Sequence, residues 1–293
     1  MPTSEPQVVT PALLRDWPLP EPGGDKLARG QLLVVGGTRG SPGAVLLAGE
    51  SALRSGAGKL QIATVAATVA EVAVAVPEAM VLGLAQTAEG SVAQGAAEEI
   101  VNLGESASVV LIGPGFSDPA SSADLLACVV PRLSTAVVLD ALASAYVTKH
   151  PEGLRHLAGR AILTLNPTEL ARTTGRDDDE VTRDPLMTAR QLAHRSDSVV
   201  VCGAEEKLVV TPSGDAWVVQ GGGPGLGISG SGDVHAGIVS GLLTRGAAPA
   251  QAAVWGAYIH ARAGERLAAE VGTVGYLARE LPGEVPKVLS ELL

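Results

Sequence analysis

A chain of 293 residues with 46% hydrophobic residues can fill the core of one large domain. Its formal net charge of −10 excludes nonspecific binding to nucleic acids or anionic lipids, whose phosphates require a positively charged protein surface. The two cysteines, Cys128 and Cys202, lie in apolar runs without metal-ligand spacing, which argues against a disulfide framework and favours a reducing, cytoplasmic location.

The N-terminal segment, residues 1–24, contains prolines at positions 2, 6, 11, 18, 20 and 22 and no basic region leading into an apolar stretch. It therefore does not resemble a signal peptide. We predict an extended arm over 1–24, lying either on the surface or on a neighbouring subunit, and one catalytic domain over 25–293. The longest apolar stretch, residues 62–85, is interrupted by Glu71, Pro77 and Glu78, which argues against a membrane span.

Beyond the arm, short β-rich runs alternate with helical stretches, and several runs are apolar on both faces, as is typical of strands covered by helices on each side. This order predicts an α/β fold with a doubly wound, mostly parallel sheet, in which ligands bind beyond the carboxyl ends of the strands. The last two predicted strands form an antiparallel hairpin. The predicted strands are Gln31–Val35, Lys59–Thr64, Ser108–Ile112, Ala136–Asp140, Ala161–Leu165, Ser198–Cys202, Lys207–Thr211 and Asp215–Gln220, and the predicted helices include Gly43–Ser55, Gly232–Thr244 and Pro249–Ala269.

Two glycine turns follow predicted strands. The first carries Arg39 and precedes the helix at Gly43. It either holds a substrate at the start of that helix, with Arg39 as a charge partner, or simply connects the two elements. The bend Gly113-Pro114-Gly115 also has two interpretations: it either lets a ligand approach the backbone or is an ordinary turn.

The tetrapeptide Asn166-Pro167-Thr168-Glu169 follows the buried run Ala161–Leu165. Asn166 with Glu169 three residues later is the pattern of a helix N-cap, and the cap alone accounts for both residues. Glu169 can also organise a hydrated Mg²⁺ near a nucleotide, because magnesium keeps its waters and takes few direct protein ligands. Both roles can coexist.

The strongest chemical signal is the glycine-rich run GGGPGLGISGSGD, residues 221–233, which leads directly into a predicted helix. Glycines let the backbone approach a ligand, and the free N–H groups at a helix start form an anion site. Asp233 either accepts a proton from a substrate hydroxyl held beside a bound phosphate or merely caps the helix. The five histidines show no metal-ligand spacing, and His260 is expected to be a packed or hydrogen-bonded helix residue.

Taken in order, these segments resemble the family of ADP- or ATP-dependent NAD(P)H-hydrate dehydratases of the ribokinase-like superfamily. The resemblance runs from about Lys26 to Leu292 and rests on VVGGTRGSPGAVLLAGESALRSGAGKLQIAT, VVLIGPG, VVLD, ILTLNPTE, VVVCGA and SGSGDVHAGIVSGLL. It implies a ribokinase-like three-layer fold, with a mostly parallel central sheet and helices on both faces. The implied activity repairs hydrated NADH or NADPH by phosphorylating the ring hydroxyl and then eliminating phosphate.

The resemblance also implies roles for individual residues. Asp233 is the expected catalytic base, and Glu169 the expected contact to Mg²⁺, through water. The expected hydrate-binding residues are Ala44, Gly115, Asn166 and Asp233, and the expected nucleotide-binding residues are Gly203, Ala204, Glu205, Glu206, Lys207, Gly230, Ser231 and Gly232. ADP or ATP is the expected co-substrate, and the implied partners are other copies of the chain, commonly in a tetramer, and a separate epimerase.

Three positions depart from the family pattern. Asn166 replaces a usual histidine, Cys202 a usual lysine and Leu142 a usual aspartate. A cation near the nucleotide is therefore either absent or supplied from elsewhere in the chain. Two alternatives stay open, a kinase for a small alcohol such as a vitamin precursor or sugar, and a catalytically weakened nucleotide-binding homologue. A stable phosphorylated product would identify the kinase, and binding without turnover would identify the homologue.

Overall fold

A computed structural model describes residues 5–203 and 206–293. Its strands are β1 (Gln7–Val8), β2 (Gln31–Val35), β3 (Lys59–Val65), β4 (Ala79–Leu84), β5 (Val109–Ile112), β6 (Ala136–Asp140), β7 (Ala161–Leu165), β8 (Val199–Gly203), β9 (Lys207–Val210) and β10 (Ala216–Val219). Its α-helices are α1 (Pro11–Asp16), α2 (Gly43–Arg54), α3 (Val69–Ala75), α4 (Ala97–Glu105), α5 (Pro119–Val129), α6 (Ala145–Lys149), α7 (Pro167–Thr174), α8 (Asp178–Arg183), α9 (Pro185–Ser196), α10 (Ser231–Thr244), α11 (Pro249–Glu270) and α12 (Leu281–Leu292).

The described strands form one sheet in the order β1-β10-β9-β8-β7-β6-β5-β2-β3-β4. Every pair is parallel except β8 with β9 and β9 with β10, so the predicted, mostly parallel sheet with one antiparallel hairpin is confirmed. The carboxyl ends of β2, β5, β6, β7 and β8 consequently lie side by side at one edge of the sheet. This is the edge at which an α/β sheet binds its ligands.

Apolar side chains cover both faces of the sheet and form two cores. Alternate residues of each strand point to opposite faces, so Val34 and Leu111 pack with α10 and α11, whereas Leu33 and Val110 pack with α4 and α5. Helices on both faces give the three-layer, ribokinase-like arrangement that the resemblance implied. Among the described residues, no helix combines the length and the apolar character that crossing a membrane requires.

Small residues allow α2 and α10 to pack at very short range. A Cβ atom on Gly237 would lie 2.3 Å from the carbonyl oxygen of Ala48, and one on Gly241 would lie 2.4 Å from that of Ala52. Any side chain at either glycine would force the helices apart. This close packing fixes the position of α10, whose first turn contributes to the site below.

The structure corrects the prediction of an extended arm over residues 1–24. Within its described part, β1 pairs with β10, and α1 begins after Thr10, whose hydroxyl accepts a hydrogen bond from the Leu13 amide at 3.2 Å. Leu14 and Leu19 are buried, and Trp17 stacks on Trp217 with ring centroids 5.6 Å apart. The segment therefore packs on its own chain, because its leucines and tryptophan gain more from burial than from exposure to water.

Candidate active site

A cavity of about 600 Å³ lies at the carboxyl edge of the sheet. Its walls come from the ends of β6, β7 and β8, the starts of α7 and β9, the glycine-rich loop, the first two turns of α10 and one residue of α11. The predicted site residues on its wall are Asn166, Glu169, Gly203, Lys207, Gly230, Ser231, Gly232 and Asp233. The fold thus brings together predicted site residues that are up to 67 positions apart in the chain, from Asn166 to Asp233.

The first turn of α10 presents unpaired amides to this cavity. Gly230 precedes the helix with a φ of +91°, a left-handed conformation that suits glycine, and no side chain caps the helix start. Within the described chain, the amides of Gly232 and Asp233 donate to no acceptor. Unpaired amides and the positive end of the helix dipole together make an anion-binding site.

Asp233 does not serve as a cap, because its carboxylate forms no hydrogen bond with any residue that the structure describes. It is half-buried on the cavity wall. Burial, reinforced by the negative charge of Glu169, raises the pKa of Asp233 to about 6. A carboxylate with free oxygens and a pKa near neutrality is suited to accept a proton from a bound hydroxyl.

Asn166 and Glu169 form the helix cap that the sequence predicts. The Asn166 side-chain oxygen accepts from the Glu169 amide, and the Glu169 carboxylate accepts from the Asn166 amide, both at 2.8 Å. This exchange occupies one carboxylate oxygen of Glu169. Both residues also line the cavity, and burial is the main cause of a raised pKa for Glu169.

Asp140, which is not among the predicted site residues, lies beside these carboxylates. It is buried at the end of β6 and accepts a hydrogen bond from the Thr164 hydroxyl at 2.6 Å, across the pairing of β6 with β7. Burial, followed by the charge of Asp233, raises its pKa well above the usual range. Asp140, Glu169 and Asp233 therefore form an acidic side of the cavity.

The acidic side fits a hydrated Mg²⁺ better than a directly bound metal. Among the described residues, no group of three or more histidine, cysteine or acidic side chains is placed to hold a metal ion directly. A magnesium ion that keeps its waters and takes phosphate oxygens requires only one or two carboxylates. The Glu169 oxygen outside the helix cap meets this requirement.

The residues at the turn from β8 to β9 differ in whether they line the cavity or face solvent. Gly203 and Lys207, which pair across the two strands, line the cavity, whereas Glu206 is exposed and accepts a hydrogen bond from Gln220 at 2.9 Å. Ala204 and Glu205 lie outside the described residues. Cys202 is buried, and burial raises the pKa of its thiol to about 12.

The other two predicted hydrate-binding residues, Ala44 and Gly115, lie together but do not line this cavity. A Cβ atom on Gly115 would lie 2.9 Å from the Ala44 Cβ and 2.7 Å from the Ser41 carbonyl oxygen. They stand beyond the ends of β2 and β5, along the same edge of the sheet. Arg39 is exposed, with its amide bonded to the Gly90 carbonyl at 2.9 Å, and does not reach the cavity wall.

Two histidines on the cavity wall were not predicted to be site residues. His235 and His260 are buried, with ring centroids 5.2 Å apart. The His260 Nε2 lies 3.0 Å from both the hydroxyl and the carbonyl oxygen of Ser231. One local signal was available, because His235 follows Ser231 by four residues and so shares its face of α10.

Comparison with known proteins gives consistent matches over almost the whole chain. The family model described as NAD(P)H-hydrate dehydratase matches residues 32–287. An ADP-dependent (S)-NAD(P)H-hydrate dehydratase of Xanthomonas campestris pv. campestris is 43% identical over 287 residues, covering 98% of this chain and 97% of the relative. Bifunctional NAD(P)H-hydrate repair enzymes, such as that of Moorella thermoacetica at 32% identity, are matched over only about half of their length.

Solved structures agree. The ADP/ATP-dependent NAD(P)H-hydrate dehydratase of Bacillus subtilis, co-crystallized with ATP/Mg²⁺, superposes with a TM-score of 0.82 at 27% identity, covering 98% of this chain and 99% of that one. A ribokinase-like superfamily protein of Enterococcus faecalis has a TM-score of 0.84 at 21% identity, with coverage of 98% and 96%. The ribokinase-like fold is thereby confirmed, and the chain belongs to the NAD(P)H-hydrate dehydratase family.

Proposed function

We propose that this chain is an ADP- or ATP-dependent (S)-NAD(P)H-hydrate dehydratase, which restores NADH and NADPH from their hydrated forms. The family relationship supports the reaction class. The observation that carries the assignment is the position of Asp233, a half-buried carboxylate without a hydrogen-bond partner among the described residues, directly beside the unpaired amides of the α10 N-terminus.

The first proposed step is phosphoryl transfer from the nucleotide to the ring hydroxyl of the hydrate. The amides of Gly232 and Asp233 hold oxygens of the transferring group and stabilise its charge. The Asp233 carboxylate accepts the hydroxyl proton while the hydroxyl oxygen bonds to phosphorus, and the nucleotide departs one phosphate shorter. A pKa of about 6 keeps this base ionised, yet close to its proton-accepting range, at neutral pH.

The second proposed step is elimination. The bond between the ring carbon and the phosphate ester oxygen breaks, and inorganic phosphate leaves with the bonding electron pair. The neighbouring ring carbon gives a proton to the departing phosphate as the double bond reforms. The hydrate thus loses the elements of water, and the phosphoanhydride of the nucleotide is consumed. Phosphate is a far better leaving group than hydroxide, which is why a dehydration can be coupled to a nucleotide.

The remaining roles are proposed on the same basis. Asn166, Ala44 and Gly115 contact the hydrate, and Gly203, Lys207 and the loop Gly230–Gly232 contact the nucleotide. Glu169 would hold Mg²⁺ through water, and the ion would supply neutralisation of charge on the phosphate oxygens. Ala204, Glu205 and Glu206 stay predictions as nucleotide contacts, as do the homo-oligomer, the separate epimerase and the cytoplasmic location.

The test follows the near-ultraviolet absorbance of reduced nicotinamide while the protein acts on NADH hydrate with Mg²⁺ and either ADP or ATP. We expect the absorbance to recover only when a nucleotide is present, with phosphate released, and the better nucleotide identifies the donor. A phosphorylated product that accumulates without recovery of absorbance would instead identify a small-molecule kinase. Nucleotide binding without either product would identify a weakened homologue.

A further inference from the structure

Lys207 is a cation on the cavity wall that has no counter-charge among the residues that the structure describes. It opens β9 and pairs with Gly203, and it faces the α10 and α11 side of the sheet, because Val209, two residues later, packs there. Within the described parts of the chain, its ammonium group forms no hydrogen bond and no ion pair. Lys207 is partly buried, and burial lowers the pKa of its ammonium group, so an unpaired charge at this position is unfavourable.

The titratable groups around Lys207 do not neutralise it. Those that act on it or feel its charge are Cys202 on β8, His235 on α10 and His260 on α11. The thiol stays protonated because burial raises its pKa to about 12. Burial, reinforced by the charge of Lys207, lowers the pKa of both histidines well below the usual range, so both rings are neutral at pH 7.

The hydrogen bonds of His260 agree with a neutral ring. The Ser231 carbonyl oxygen can only accept, so the His260 Nε2 at 3.0 Å carries the proton. The His260 Nδ1 and the His235 Nε2 are buried and have no partner among the described atoms. Counting only the described residues, the wall formed by Lys207, His235 and His260 therefore has one positive charge, two unpaired buried ring nitrogens and no acidic side chain.

This basic wall belongs to the same cavity as the unpaired amides of α10, and His260 is bonded to the first residue of that helix. We infer that Lys207 supplies the counter-charge for the phosphate chain of the bound nucleotide. The inference rests on the proposed function only in taking the ligand to be an adenine nucleotide. Phosphate is the chemistry that fits, because it satisfies an unpaired ammonium group and unpaired helix amides at once.

The experiment measures, by calorimetry, the binding of ADP and of adenosine to the full chain and to Lys207→Met. Losing one charge-assisted contact to phosphate should weaken ADP binding about ten- to a hundredfold and adenosine binding less than about twofold. Lys207→Arg should retain part of the ADP affinity. Lys59→Met is the control, because Lys59 opens β3 at the opposite end of the sheet and should leave both affinities unchanged.

Equal losses for ADP and adenosine would overturn the inference and place Lys207 against the base, and unchanged ADP binding would remove it from the nucleotide site. If Lys207→Met fails to fold, Lys207→Gln gives the same comparison. Neither titration uses the hydrate, so their outcome is independent of the repair assay. A wild type that binds ADP with a Lys207-dependent preference over adenosine but repairs no hydrate would refute the proposed function alone.

Discussion

The two sides of the cavity carry opposite chemistry but respond to burial in the same way. On the acidic side, burial raises the pKa of Asp140, Glu169 and Asp233, and on the basic side it lowers the pKa of Lys207, His235 and His260. Both shifts favour the uncharged forms. The charged forms of these groups are therefore destabilised by burial. A ligand that carries phosphate groups and a bound cation would stabilise the charged forms on both sides of the cavity.

The largest expected effect comes from removing the one acidic group that we propose accepts a proton. Asp233→Asn should lower hydrate turnover by about 10²- to 10⁴-fold, the usual contribution of a general base, while ADP binding survives. Turnover is measured by recovery of nicotinamide absorbance and binding by calorimetry. The exposed Asp178→Asn on α8 is the matched control. Full turnover in Asp233→Asn would exclude Asp233 as the base.

The pH profile tests the same carboxylate without a mutation. The base must be ionised, so kcat/KM for the hydrate should fall about tenfold per pH unit below the Asp233 pKa of about 6 and level off above it. Nucleotide and Mg²⁺ are held saturating at each pH. If kcat/KM of Asp233→Asn falls with decreasing pH in the same way, another group is responsible for the titration.

Glu169 offers a way to separate a structural role from a functional one. Glu169→Ala removes the charge and the carboxylate's half of the capping box, the bond from the Asn166 amide, and should lower the free energy of unfolding by about 1 kcal/mol. Glu169→Gln keeps an oxygen that can accept from the Asn166 amide, so its stability should stay within about 0.5 kcal/mol of wild type. The Mg²⁺ concentration that Glu169→Gln needs for half-maximal turnover should nevertheless rise. An unchanged Mg²⁺ titration in Glu169→Gln would leave Glu169 as a cap only.

Local features of the site could be predicted from the sequence because they depend on neighbours in the chain. The glycine run before Asp233 and the cap of Asn166 with Glu169 each need only a few consecutive residues. By contrast, β4 escaped prediction because it is an edge strand whose Met80 is exposed, within a stretch judged only as one apolar block. The family pattern has a lysine where this chain has Cys202. From that difference we expected the cation near the nucleotide to be either absent or supplied by another residue.

Apart from Lys207, which the family resemblance placed among the nucleotide-binding residues, the basic side could not be predicted, because it depends on packing between distant elements. Lys207 reaches the cavity through its pairing with Gly203, and His260 meets His235 only because α11 packs on α10. Likewise, Asp140 is held by Thr164 through the register of β6 with β7. None of these contacts has a signature in sequence spacing.

The smallest effects concern the protein without ligand, where neutralising either side should stabilise the fold. Asp140→Asn keeps an oxygen for the Thr164 hydroxyl and removes a buried acid, so it should raise the free energy of unfolding by on the order of 1 kcal/mol at pH 7. Because folding raises the pKa of Asp140, wild type loses stability as the pH rises above the unfolded value of 3.8 towards the folded pKa. The advantage of Asp140→Asn should therefore grow with pH over this window and vanish below it.

Lys207→Met should likewise stabilise the empty protein by roughly 1 kcal/mol, because it replaces an unpaired ammonium group by an apolar side chain of similar length. Thermal unfolding without and with saturating ADP measures both states. At the same ADP concentration, ADP should raise the melting temperature of Lys207→Met less than that of wild type, because stabilisation by a ligand grows with the logarithm of its concentration relative to Kd. If Lys207→Met were instead less stable than wild type without ADP, and equally stabilised by ADP, Lys207 would have a structural role. The proposed parallel between the acidic and basic sides would then be wrong.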